Sequence, residues 1–227
     1  MTDIDLEARP APLSFAVYRT ALVLIDMQRD FLEPGGFGAA LGNDVAQLAP
    51  AIDGCRRALD QARAAGLFVV HTREGHRPDL ADAPRAKIQR GAPSMRIGDE
   101  GPMGRILVRG EPGHDIVRAL APVAGEPVID KPGKGAFFQT DLDLVLKNRG
   151  VDTLLVGGVT TEVCVHTTIR EANDRGYRCV ALADACGSYF PEFHRTGLAM
   201  IEAQGGIFGW VATTAALDAA LRPRTAA

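Results

Sequence analysis

GGVTTEVCVHTTIREANDRG, residues 157–176, decides the reading of this chain. The apolar run TLLVGG (153–158) has the length and composition of a buried strand, and Gly157-Gly158 ends it in a tight turn. From Glu162 to Arg175 the spacing turns helical, with Gly176 as the stop signal. A strand, a glycine turn and a helix in that order make half of a βαβ unit, and Cys164 falls in the first turn of the predicted helix. A thiol there would face the positive end of the helix dipole and the unpaired N–H groups of the first turn. Those donors would also suit a developing oxyanion. The plainer alternative is a small buried residue on the inner face of the helix.

The same alternation extends in both directions. Strands are expected at TALVLID (20–26), LFVVHT (67–72), PVID (127–130), RCVALAD (178–184) and GIFGW (206–210). Helices are expected at 44–65 with Gly66 as stop, 115–120, 141–149, 191–204 and 213–221. Strands alternating with helices predict an α/β fold: a doubly wound, mainly parallel six-stranded sheet covered by helices on both faces. We read residues 1–227 as one domain, with 1–20 as an N-terminal arm that could pack on a neighbour. Residues 73–114 are rich in Gly, Pro and Arg and lack periodicity, which predicts a long loop covering a site.

Composition narrows the function classes. The chain has 227 residues, 46% hydrophobic and 23% charged, and a formal net charge of -3. That balance offers no basic footprint for nucleic acid or an anionic membrane. No apolar run reaches the roughly 18 residues of a membrane span, and the start MTDIDLEARPAPLSF lacks the basic and apolar regions of a signal peptide. Cys55, Cys164, Cys179 and Cys186 form no C-x-x-C pair. A cytoplasmic protein with reduced thiols is the expectation.

In a doubly wound sheet the active site lies beyond the carboxyl ends of the strands. Asp26, His71, Asp130, Lys131, the 157–164 loop and Asp184 fall there. Asp26 ends an apolar strand, where a carboxylate needs a partner; it reads as a base for a thiol, or as a structural ion-pair member. Lys131 could stabilise a thiolate and an oxyanion, and Lys134, three residues on, competes with it at this stage. No Asp-x-His occurs, and a strand-end His71 reads as a hydrogen-bonded structural group, so neither a metal nor any other cofactor is expected.

Three motifs in order, V-L-I-D-M-Q-x-D-F from Val23, D-K-P-x-x-x-A-F-x-x-T-D-L from Asp130 and G-x-x-T-x-V-C-V-x-x-T-x-R-x-A from Gly158, resemble the isochorismatase-like cysteine hydrolases over roughly residues 20–212. The resemblance implies an Asp26–Lys131–Cys164 triad, choosing Lys131 because it stands six residues before Phe137. It also implies a cis Val159–Thr160 peptide and an oxyanion hole from the Thr160 and Cys164 amides. Shorter stretches, HTREGHRPDLAD (71–82), RGEPG (109–113), IDKPGKG (129–135), REANDRGY (170–177) and AQGG-FG (203–209), resemble the biuret and triuret hydrolases of cyanuric-acid catabolism. That likeness implies an amidohydrolase of small linear ureides that releases ammonia, in a homo-oligomer, by family habit a tetramer. Gln204 would bind the substrate, with Lys134, Arg73 and Glu74 as further pocket residues. Ureidoacrylate, an N-carbamoyl compound or another small amide is the alternative substrate, with Arg73, Arg96 or Arg105 able to clamp a carboxylate. A non-catalytic scaffold relative would have lost a triad residue, and all three are present.

Overall fold

The computed structural model describes residues 3–92 and 95–222. Ten strands are present among them: β1 (Ile4–Leu6), β2 (Leu13–Phe15), β3 (Thr20–Ile25), β4 (Phe68–Glu74), β5 (Glu100–Gly101), β6 (Gly104–Arg105), β7 (Val128–Lys131), β8 (Thr153–Val159), β9 (Arg178–Gly187) and β10 (Trp210–Ala212). The α-helices are α1 (Arg29–Leu32), α2 (Phe37–Ala40), α3 (Ala49–Ala65), α4 (Arg85–Ile88), α5 (Leu142–Asn148), α6 (His166–Asp174), α7 (Pro191–Gly206) and α8 (Thr214–Leu221). Six strands form one sheet in the order β10-β9-β8-β3-β4-β7, and every neighbouring pair in it is parallel. The doubly wound six-stranded expectation therefore holds.

Central strands β3 and β8 are buried on both faces, which is why they read as unbroken apolar runs. One face packs Leu22, Leu24, Val69 and Leu155 against α3 and α8. The other packs Val23, Ile25, Val70 and Val156 against α5, α6 and α7. α3 stops at Gly66, whose φ of 72° is the left-handed conformation glycine adopts at little cost.

Three expectations need correction. The described part of the 1–20 arm, residues 3–20, packs on its own chain: β1 and β2 pair antiparallel, and Leu6, Leu13 and Phe15 enter the α3 core. Residues 115–120 are not helical. Arg29 N–H donates to Asp115 O at 2.9 Å and Val117 N–H to Met27 O at 2.9 Å, so this backbone is drawn alongside residues 27–29, and only a 3-10 turn follows at Arg118–Leu120. A six-residue helix gains too few internal bonds to outcompete such tertiary ones. The last strand is Trp210–Ala212 rather than 206–210, because Gly206 and Gly209 have positive φ.

In its described residues the loop from 75 to 114 is irregular but built. Its own cluster of Ile97, Ile106 and Leu107 packs on Phe31, Phe37 and Leu80. His76 N–H donates to Leu107 O at 2.9 Å, and buried Asp30 accepts the Leu107 N–H at 3.2 Å.

Candidate active site

Strand order reverses between β3 and β8, where chain connections leave in opposite directions and open a crevice. Gly158 makes the close approach there possible. Its φ is +127°, and a Cβ on it would lie 2.1 Å from Ile25 O. Glycine thus lets the end of β8 lie against the end of β3, bringing the cysteine loop beside Asp26.

Asp26 itself has a φ of 51°, an uncommon conformation for a non-glycine residue. Thr72 pins it: the Thr72 hydroxyl donates to Asp26 Oδ1 at 2.6 Å and accepts the Asp26 N–H at 3.2 Å. Lys131 ends β7 and is fully buried. Its ammonium lies 2.7 Å from Asp26 Oδ2 and donates to Gly133 O and Lys134 O, each at 2.9 Å. Two of its N–H donors are spent on backbone carbonyls, and its charge is met by Asp26. Burial alone would lower the Lys131 pKa, but Asp26, Cys164 and Glu74 raise it above its ordinary value. The loop after Lys131 is tied to α6 by Ala136 N–H to Thr168 Oγ1 at 3.1 Å and Phe137 N–H to Glu171 Oε2 at 3.0 Å.

Cys164 does not sit in the α-helix. Thr161–Val165 form a π turn, in which Val165 N–H reaches back to Thr160 O at 3.3 Å, and α6 starts only at His166. Such wide turns are frequent at functional sites. The Val159–Thr160 peptide is cis, as the family resemblance implied. The thiol also departs from expectation. Burial pushes its pKa well above the ordinary value; Lys131 pulls down, while Asp26 and Glu74 push up. Burial therefore opposes the thiolate expected from the helix dipole.

Glu74, which sequence reasoning ranked as a lesser pocket residue, is central. It ends β4 fully buried, and Cys164 Sγ donates to its Oε2 at 3.5 Å. Lys134 Nζ lies 2.7 Å and Lys87 Nζ 2.9 Å from its Oε1, and Lys131 Nζ lies 3.9 Å from Oε2. Burial by itself would raise the Glu74 carboxyl, but Lys131, Lys134 and Lys87 bring it down to about 2. Donor atoms of Asp26, Glu74 and Cys164 all lie within 4.8 Å of one another, close enough for a metal donor set, yet lysine ammonium groups already supply the positive charge there.

Arg73 and Glu74 are adjacent on one strand, so their side chains leave opposite faces. Arg73 points away from the site and pairs with Asp130 at 2.8 and 3.1 Å, which removes it as a pocket residue. Gln204 is likewise placed elsewhere: it is exposed at a break in α7, next to Gly205 and Gly206, and does not line the cavity. α7 begins near the carboxyl end of β9 and runs back towards the start of β10, so its last turn lies remote from the strand ends that carry Asp26 and Lys131. Arg96 and Arg105 donate to carbonyls of their own loop and do not line the cavity either. His71 is buried and bonded to Glu126 Oε2 at 3.0 Å, the structural role expected for it.

Sequence reasoning missed Lys87 and Gln28. Lys87 lies on α4 inside the irregular loop, where no pattern marks it. Gln28 is buried after β3 and clamps the end of β4: it accepts the Glu74 N–H at 2.7 Å and donates to Glu74 O at 2.9 Å and His114 O at 3.1 Å. Its place in the I-D-M-Q motif was the available signal.

A cavity of about 220 Å³ opens above Cys164. Phe31, Phe37, Leu41, Val163 and Phe190 supply apolar walls, and Glu74, Lys134, Thr160 and Glu162 supply polar edges. Pockets for drug-sized ligands run roughly 300–1,000 Å³, so this one fits a small molecule.

A doubly wound α/β sheet with a buried cysteine, aspartate and lysine gathered at the β3/β8 crevice has the makings of a cysteine hydrolase, and the chain belongs to the isochorismatase-like hydrolase family: the isochorismatase domain matches residues 20–216. It is 36% identical over 224 residues to the ureidoacrylate amidohydrolase RutB of Methylorubrum extorquens strain AM1, covering 96% of this chain and 89% of that protein. The RutB of Yersinia enterocolitica is also 36% identical, over 91% of this chain and 90% of its own length. Among solved structures, a cysteine hydrolase from Pseudomonas syringae pv. phaseolicola 1448A superposes with a TM-score of 0.78 at 31% identity, covering 97% of this chain and 98% of its own. No helix among the described residues is long and apolar enough to cross a membrane.

Proposed function

We propose that this protein is a cysteine-dependent amidohydrolase of small ureido or N-carbamoyl compounds, with ureidoacrylate as the first candidate. One observation carries the reading: Lys131 stands 2.7 Å from Asp26 with the Cys164 thiol in the same buried cluster, at the floor of a small cavity. Asp26 takes the thiol proton as sulfur attacks the carbonyl, and Lys131 stabilises the charge that develops. The N–H groups of Thr160 and Cys164, both bordering the cavity, are the proposed oxyanion donors. Such a donor typically contributes about 10²–10³ in rate. Asp26 returns its proton to the departing nitrogen, and water then hydrolyses the S-acyl intermediate.

Two features support ureidoacrylate over biuret or triuret. The aromatic and aliphatic walls suit an unsaturated carbon chain better than a wholly polar ureide, and Lys134, paired with Glu74, is the one cation among the described residues lining the cavity that a substrate carboxylate could share. Relatives named for ureidoacrylate also match nearly the whole chain, whereas the biuret likeness leaned on short stretches that include the remote Gln204.

Purified protein should release ammonia from ureidoacrylate with a higher kcat/KM than from biuret, triuret or N-carbamoyl amino acids. Turnover of biuret above ureidoacrylate would reverse the substrate order. No turnover of any of these would remove the reading.

A further inference from the structure

In the resting site the thiol's hydrogen bond goes to Glu74, while Asp26 is engaged with Lys131 and Thr72. Glu74 is a poor place for that proton to end, because three lysines surround its carboxylate. It is, however, a permanent acceptor at the cavity edge, and a ureide carries N–H groups beside its carbonyl. The geometry points to Glu74 as a substrate-displaced lock: its carboxylate holds the Cys164 S–H before substrate binds and transfers its acceptance to the substrate's N–H on binding, releasing the thiol towards Asp26. This deepens the amidohydrolase reading and rests on it for the substrate half.

The step balances without an outside reagent. The substrate N–H replaces S–H at Glu74 Oε2. The S–H bond then breaks with its proton moving to Asp26, the sulfur electron pair forms the S–C bond, and the carbonyl π pair moves onto oxygen. The substrate class follows: a carbonyl flanked by a free N–H, as in primary ureides and carbamoyl compounds, rather than an ester or an N,N-dialkyl urea of the same shape. The charged groups around the sulfur are Asp26 from β3, Glu74 from β4, and Lys131 and Lys134 from β7 and its loop. Lys87 from α4 reaches the sulfur only through Glu74.

The experiment has an arm that needs no substrate. Alkylation of Cys164 by iodoacetamide, followed by peptide mass spectrometry across pH, should show Glu74→Gln reacting about tenfold faster than wild type near neutral pH, with its midpoint lower by about one unit, since one negative charge beside the thiol is gone. An unchanged or higher midpoint overturns the lock. In case Glu74→Gln misfolds, wild-type protein alone decides: its Raman S–H band, assigned by loss in Cys164→Ala, should sit at the frequency of a hydrogen-bonded thiol. A free-thiol band, or none, overturns the proposal. In the substrate arm, the wild-type preference for a ureide over its ester analogue should collapse in Glu74→Gln. A retained preference overturns the substrate half. If no ureide is turned over while the alkylation shift appears, the amidohydrolase reading has failed and the substrate half falls with it. If ureides turn over without the shift, only the lock has failed.

Discussion

Strand β4 carries two buried ionic clusters, one at its midpoint and one at its carboxyl end, and they behave differently. At its midpoint, His71 meets Glu126, which is also held by Arg63 at 2.8 and 2.9 Å and by Val123 N–H at 3.1 Å. One cation faces one anion there, and burial keeps His71 neutral by lowering its pKa. At the carboxyl end, three lysines face two carboxylates, next to a thiol and an open cavity. The first cluster is closed in charge and in space. Among Lys87, Lys131, Lys134, Asp26 and Glu74 the second keeps one positive charge in excess next to the sulfur, with Glu162 farther along the cavity edge where a substrate can enter. Charge developing on a sulfur or a carbonyl oxygen would be met by that surplus without reorganisation. Burial of ionisable groups is thus shared by both clusters; access and charge imbalance separate the reactive one.

The largest expected effect is in the open cluster. Cys164→Ala should lower ureide turnover by about 10⁴-fold or more, the scale seen when a nucleophile is removed, with thermal stability nearly unchanged; residual turnover near wild type would remove the contrast. Next, Lys131→Met leaves Asp26 and Glu74 buried without their shared cation. A stability loss of about 3–5 kcal/mol, the usual result of breaking one side of a buried pair, should appear in urea denaturation together with loss of turnover.

In the closed cluster, Glu126→Gln should cost about 1–3 kcal/mol by leaving charged partners poorly satisfied, yet keep kcat within about twofold. Acid sharpens this. Glu126 is held at about 2: burial by itself would raise it, but hydrogen bonds from Arg63, Val123 and His71 bring it down, and Glu74 also lies at about 2. Both depressed carboxylates contribute stability above their ordinary value of 4.5, and that contribution is lost as pH falls from there through about 2. Neutral, buried His71 adds an earlier loss that begins as pH falls below 6.5. Chemical denaturation across pH should show Glu126→Gln with a shallower acid slope than wild type. The smallest effect is predicted at Arg73→Ala, one residue from Glu74 on the opposite face: a stability change of about 1 kcal/mol or less for a partly exposed pair, and turnover within twofold. A large loss of turnover there would show that the two faces of β4 are not independent.

How much of this was legible beforehand depended on periodicity. The central sheet strands read from their apolar runs, because a strand buried on both faces leaves an unbroken signature; strand ends brought out Asp26, Lys131 and the cysteine loop, and the family resemblance singled out the triad. Glu74 and Arg73 could not be ranked without knowing which face of β4 meets the crevice, a question the alternation rule poses but does not answer. Lys87 was invisible, because an irregular loop carries no period from which to infer direction. The π turn was missed since its composition is that of an ordinary helix start. The hairpin at residues 4–15 was missed because each of its strands is three residues long, too short to show alternation.

The four central side chains arrive from β3, β4, β7 and β8, which lie adjacent in the sheet although they are scattered between residues 26 and 164. No contiguous peptide and no early hairpin can contain them together. During refolding, recovery of turnover should therefore lag behind recovery of helical signal and report the docking of the last of these strands, making the enzyme its own indicator of completed assembly.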